Sequence, residues 1–207
     1  MATPNDTRIG LFGGTFDPVH LGHLLAAQEA YEQLDLSRVM LMPAHTRPHK
    51  DRVVTTSAAD RLAMLRLAAA DDARFEVSDL EVRRGGSSYT IDTVAALRAE
   101  VDAEIILLVG SDSVPELPTW HRVGKLMDLC TLVVMARPGF SVEQLDRLRG
   151  ALSAEQVERI AGDLLAIPLI EISSTSVRER LAAGRSIRYL VPRAVEDYIA
   201  ATGLYRD

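Results

Sequence analysis

The sequence predicts an α/β fold: a parallel sheet with helices on both faces. Three observations carry that reading. Short apolar runs alternate with stretches of helical period along the whole chain, the order that builds parallel sheets. Runs such as residues 105–109 are apolar throughout, as in strands covered on both sides. The chain has 207 residues, 47% hydrophobic and 25% charged. A chain of that size buries roughly 70% of its unfolded surface. It therefore needs neither disulfides nor a structural metal, and residues 1–207 are expected to form one domain.

The elements follow in order. Residues 8–12 read as a strand that ends at Gly13-Gly14, where two glycines let the chain turn and expose N–H groups. Residues 21–34 have helical spacing. Residues 39–42 are a strand stopped by Pro43, and a polar loop leads to a helix over 58–70. A short strand is expected at 75–77, a helix at 89–99 and a buried strand at 104–109. Residues 131–136 form a strand stopped by Arg137-Pro138-Gly139, and residues 141–165 are charged and helical. A last strand over 167–172 runs into a helix at 175–183, and Pro192 suits the first turn of a terminal helix. In such sheets ligands bind beyond the carboxyl ends of the strands. Nearly all the unusual residues fall there.

Net charge excludes some function classes. At −6 the chain is unsuited to broad electrostatic binding of nucleic acid or anionic membranes, so an anionic ligand must meet a local basic pocket. The single cysteine, Cys130, permits no intrachain bridge and suits a reducing compartment. It reads as a small buried residue at the start of a strand. The first residues do not read as a signal peptide, and no apolar run could span a bilayer. A cytoplasmic location is expected, and a homo-oligomer is left open.

Two motifs concentrate the chemistry. The first is Gly13-Gly14-Thr15-Phe16-Asp17-Pro18-Val19-His20-Leu21-Gly22-His23. His20 and His23 share a face of a first helical turn. Imidazolium there opposes the helix dipole, a conflict that a bound anion removes. The same residues also fit a tight turn with two solvated histidines, and two histidines alone do not make a zinc site. The second motif is Ile172-Ser173-Ser174-Thr175-Ser176-Val177-Arg178. Thr175 or Ser176 suits an N-cap, and Ser176 with Glu179 suits a capping box. Arg178, read into the first turn, opposes the dipole, so its loss should not harm folding. Hydroxyls, free N–H groups and a guanidinium together suit phosphate.

Taken together, these motifs resemble the nucleotidylyltransferase superfamily. Further segments, Ser87-Ser88-Tyr89-Thr90, Gly110-Ser111-Asp112, Leu117-Pro118-Thr119-Trp120, Arg137-Pro138-Gly139 and the ending from Tyr189-Leu190-Val191-Pro192 through Gly203-Leu204-Tyr205, resemble its bacterial nicotinate-mononucleotide adenylyltransferases. The resemblance implies a Rossmann-like nucleotidyltransferase fold and transfer of an adenylyl group from ATP to nicotinate mononucleotide. His20, His23 and Arg178 would be catalytic. ATP would meet Gly13, Gly14, Thr15, Phe16, His20, His23, Gly110, Asp112, Arg137, Ser173, Ser174, Thr175, Ser176 and Arg178. The acceptor would meet His45, Lys50, Tyr89, Thr90, Trp120 and His121. Trp120 would stack on the pyridine ring, and the helix start at Tyr89-Thr90 would receive the carboxylate. Mg²⁺ would be carried mainly by the triphosphate, with no dedicated metal site. The rival readings are the same chemistry on nicotinamide mononucleotide or phosphopantetheine, an aminoacyl-tRNA synthetase fragment, and an ATP-binding sensor without turnover.

Overall fold

A computed structural model of the protein describes residues 8–46 and 56–206. Six parallel strands form one sheet: β1 (Arg8–Gly14), β2 (Arg38–Pro43), β3 (Phe75–Val77), β4 (Glu104–Gly110), β5 (Thr131–Ala136) and β6 (Leu165–Ala166). The order across the sheet is β3-β2-β1-β4-β5-β6, so the winding reverses between β1 and β4. Strand-end loops diverge at such a point and leave a crevice.

The helices among the described residues are α1 (Leu21–Gln33), α2 (Ala58–Ala69), α3 (Leu80–Arg84), α4 (Thr90–Glu100), α5 (Val123–Leu126), α6 (Ala154–Gly162), α7 (Ser174–Ala182) and α8 (Arg193–Thr202), with 3₁₀ segments at Ser111–Thr119 and Val142–Leu148. Alternate strand residues face opposite layers. Ile9, Leu11, Ile105 and Leu107 join one apolar cluster, and Phe12, Ile106, Leu108 and Val133 join the other. α1 turns Ala26, Ala27 and Ala30 inward, and these small side chains let it lie close to the sheet. No described helix is long and apolar enough to cross a membrane.

Four expectations are corrected. The stretch 141–165 is broken in two: Gly150 takes φ +97° in the left-handed region, and Ser153 starts α6 with a capping box to Gln156. The last strand ends at Ala166, because Pro168 has no N–H to extend the ladder. Gly13 and Gly14 continue β1 rather than turning, and the turn comes at Phe16, with φ +51°. α7 is capped by Ser173, whose hydroxyl accepts from the Ser176 N–H; Ser176 therefore pairs back to Ser173, not forward to Glu179. The helix thus starts early enough to put Arg178 past its first turn. The short helices α3 and α5 and the Ser111–Thr119 segment have no counterpart in the sequence reading, since pieces this brief leave no periodicity.

Candidate active site

A cavity of about 730 Å³ lies over the carboxyl ends of the strands. Of the residues expected there, all but Ser176 and Lys50 line it. Ser176 is occupied in the α7 cap. Lys50, with Arg47 and His49 of the same loop, lies outside the described residues.

Steric fit fixes the first motif. Gly14 must be glycine, because a Cβ there would stand 2.9 Å from the Phe16 ring. Phe16 packs edge-on to Phe12 at 5.8 Å and to His23 at 5.0 Å between ring centroids. His20 is the N-cap of α1 and stacks on His23 at 3.6 Å. A Cβ on Gly22 would come within 3.1 Å of His20 Nδ1, so the stacked ring would have to give by a few tenths of an ångström.

Burial resolves the conflict between histidine and dipole. His20 is only 4% exposed, and its Nδ1 is buried with no hydrogen-bond partner. Its pKa is lowered to about 4, first by burial and then by the charge of Arg137, so the ring is neutral at pH 7. The His20 N–H donates to His23 Nδ1 at 3.2 Å, which places the proton of a neutral His23 ring on Nε2.

The second motif is bonded to the first. Ser174 Oγ donates to the Pro18 carbonyl at 2.9 Å, and the Arg178 guanidinium to the Asp17 carbonyl at 2.6 Å. That second bond corrects the expectation that Arg178 is dispensable for folding. The Asp17 carboxylate, 3% exposed, accepts from Thr56 Oγ1 at 2.5 Å and from the Tyr205 hydroxyl at 2.7 Å. The end of the chain is thereby fastened to the turn after β1.

At the other end of the cavity α4 begins. Tyr89 is its N-cap and its carbonyl accepts from the Asp92 and Thr93 N–H groups, so those of Thr90 and Ile91 have no acceptor within the helix. The Tyr89 ring lies 4.7 Å from that of His121, next to the half-buried Trp120. Asp112 folds back over Gly110, where a Cβ would meet its Oδ1 at 2.5 Å. Ser111 Oγ accepts from the Arg137 N–H at 3.3 Å and ties the β4 and β5 ends together. No group of three His, Cys, Asp or Glu among the described residues could hold a metal ion.

Sequence reading missed Arg61, Glu81 and Thr93, which also line the cavity. Thr93 Oγ1 donates to Glu81 at 2.5 Å and accepts from Arg84 at 2.9 Å. Arg61 had a legible signal: it falls on the same helix face as Met64 and Leu65, a charge within an apolar stripe.

Residues 11–180 match the family model described as cytidylyltransferase-like. The probable nicotinate-nucleotide adenylyltransferase of Thermomicrobium roseum is 45% identical over 97% of this chain and 92% of its own. That of Thermus thermophilus is 46% identical over 96% of this chain and 100% of its own. Among solved structures, the nicotinic acid mononucleotide adenylyltransferase of Plasmodium falciparum, complexed with NaAD, superposes with a TM-score of 0.73 at 17% identity, covering 96% of this chain and 97% of that one. At that identity the likeness shows the fold.

Proposed function

The chain belongs to the cytidylyltransferase-like family and, within it, to the nicotinate-nucleotide adenylyltransferases, and we propose on that premise that it joins ATP to nicotinate mononucleotide, giving deamido-NAD and pyrophosphate. One observation carries the reading. Three helix starts open into one cavity: His20 of α1, Tyr89-Thr90 of α4 and Ser173-Ser174 of α7. Helix starts favour anions. The two substrates bring three anionic loads, namely a carboxylate, a mononucleotide phosphate and a triphosphate.

In the reaction an oxygen of the mononucleotide phosphate bonds to the α-phosphorus of ATP. The bond from that phosphorus to the bridging oxygen breaks, and pyrophosphate leaves. The attacking phosphate is mostly dianionic at pH 7, its second pKa being about 6, so it needs little general base. Catalysis is positioning and charge stabilisation. Neutral His20, and His23 whose Nδ1 is taken up by the His20 N–H, act as hydrogen-bond donors at the transferred phosphoryl group rather than as proton carriers. Arg178 and the hydroxyls of Ser173, Ser174 and Thr175 hold the triphosphate, which brings its own Mg²⁺. Asp112 receives the ribose hydroxyls, and the Arg137 loop flanks the adenine.

Acceptor choice follows from donors. A carboxylate only accepts hydrogen bonds, whereas an amide also donates. The N–H groups at the start of α4 satisfy the former and leave the amide NH₂ mismatched, at a cost of about 1–3 kcal/mol. Steady-state kinetics with ATP and each acceptor test this. Pyrophosphate release is expected to require a pyridine mononucleotide, with kcat/KM at least roughly tenfold higher for nicotinate than for nicotinamide. Equal turnover of phosphopantetheine would refute the pyridine site, and equal efficiency of acid and amide would refute the role of α4.

A further inference from the structure

Arg61 is 1% exposed, yet it lines the cavity from α2. One guanidinium nitrogen donates to the Thr15 carbonyl at 2.9 Å and to the Ala44 carbonyl at 2.6 Å, and the other donates to the His45 carbonyl at 3.0 Å. These carbonyls belong to two different loops, after β1 and after β2. The loops already touch once, where the Ala44 N–H donates to Gly14 O at 2.8 Å. The side chain of Arg61 therefore clamps the paired strand ends beyond the point where the sheet stops.

The Thr15 bond falls where the backbone is strained. Phe16, the next residue, holds φ +51°. A left-handed conformation is disfavoured for a non-glycine residue, and it persists only where its surroundings over-determine it. A trans peptide points its N–H opposite to its carbonyl. Drawing the Thr15 carbonyl onto Arg61 thus turns the Phe16 N–H away from the guanidinium and fixes which edge of that peptide the cavity meets.

From this we infer that Arg61 is a positioning residue: its forked donors tie the turn after β1 to Ala44 and His45 and set the peptide planes of that turn, so that the turn presents a fixed surface to the phosphates of ATP. The assignment rests on the adenylyltransferase reading for the identity of the ligand. A lysine keeps the charge but is a point donor on a flexible stem, and cannot reproduce a planar fork across two loops.

The test uses the full chain and Mg-ATP, with binding measured by calorimetry in the absence of acceptor. Failure of the wild-type chain to turn over nicotinate mononucleotide would then count against the function and not against Arg61. Arg61→Lys should weaken ATP binding by roughly tenfold or more, equivalent to about 1.4 kcal/mol, with the circular dichroism of the sheet retained. Arg61→Ala should regain part of its ATP affinity on addition of methylguanidine but not of methylamine. An Arg61→Lys protein that binds ATP within about twofold of wild type would overturn the inference, as would an Arg61→Ala protein rescued equally by both cations or by neither. Should Arg61→Ala not fold, Arg61→Lys decides alone.

Discussion

The two motifs proposed to meet the phosphates are built in opposite ways. Around β1 and α1, Phe16, Asp17 and His20 are all under 5% exposed, the His20 and His23 rings stack, a Cβ on Gly14 would collide with Phe16 and one on Gly22 would crowd His20. At the start of α7, Ser173 and Thr175 are exposed, and the hydroxyls of Ser173 and Ser176 mainly cap their own helix. One half is finished before any ligand arrives. The other is tethered to it by Ser174 and Arg178 and would be completed by the proposed triphosphate. Preorganised donors suit the bond-making step, since they need no reorganisation when charge develops. Exposed donors at a helix start suit ground-state capture of a triphosphate.

The largest effect that could break this division is at His20. His20→Ala should lower kcat by roughly 10²–10³, the loss seen when one oxyanion-type donor is removed, while KM for ATP changes far less. A normal kcat with weakened ATP affinity would make His20 a ground-state ligand and erase the contrast.

The buried half also carries a pH signature. His20 titrates near 4 in the folded protein and near 6.5 when unfolded. Between those values the unfolded chain binds the proton and the folded chain does not, so stability should fall as pH drops through that window. The full difference is up to about 3 kcal/mol. Asp60, Asp72 and Glu143 are also shifted down and begin to lose their share as pH falls toward their unfolded values, 3.8 for the aspartates and 4.5 for Glu143, but that loss is common to wild type and a His20 variant. Urea unfolding of wild type and His20→Asn at pH 7 and near pH 4.5 checks this: the variant should lose less stability on acidification. Identical losses would show that His20 is not held neutral by burial.

For the exposed half, Arg178→Ala should raise KM for ATP roughly tenfold, matching the loss of one charge-assisted bond of about 1.5–3 kcal/mol. Its bond to Asp17 should add a small loss of stability without ligand, about 1 kcal/mol. Differential scanning fluorimetry with and without ATP separates the two; a large loss of apo stability with unchanged ATP binding would make Arg178 structural.

Gly22→Ala sharpens the comparison at smaller scale. The new methyl would press on the His20 ring, and kcat should fall several-fold while ATP affinity holds. The energy involved is about 1 kcal/mol of crowding. Unchanged kcat would show that the stacked pair tolerates displacement.

How much of this was legible in the sequence follows the same divide. The central strands β1, β2, β4 and β5 are readable because an apolar run buried on both faces has few other uses, whereas the two-residue β6 is too short to leave a pattern. Both motifs were readable because glycine, histidine and hydroxyls followed strands. The locks between them were not. Thr56 and Tyr205 reach Asp17 across 39 and 188 residues of chain, separations that no local pattern encodes. The cap of α7 is not fixed by sequence because four consecutive hydroxyl residues, Ser173 to Ser176, each suit an N-cap, and tertiary contact from Ser174 to Pro18 favours one register. The glycines after β1 suggest a turn because flexibility is the only local reason for them. In the fold, Gly14 instead makes room for Phe16.

Hydrogen exchange measured with and without a non-hydrolysable ATP analogue tests the contrast most directly. Amide protection follows the free energy of local opening. The bonded amides of Leu21, His23 and Leu24 should already exchange slowly in the free protein and change little on binding, while those of Ser174 and Thr175 at the open start of α7 should exchange fast when free and slow by roughly tenfold or more with the analogue. Fast exchange of the α1 amides in the free protein, or equal slowing of both sets, would contradict the account.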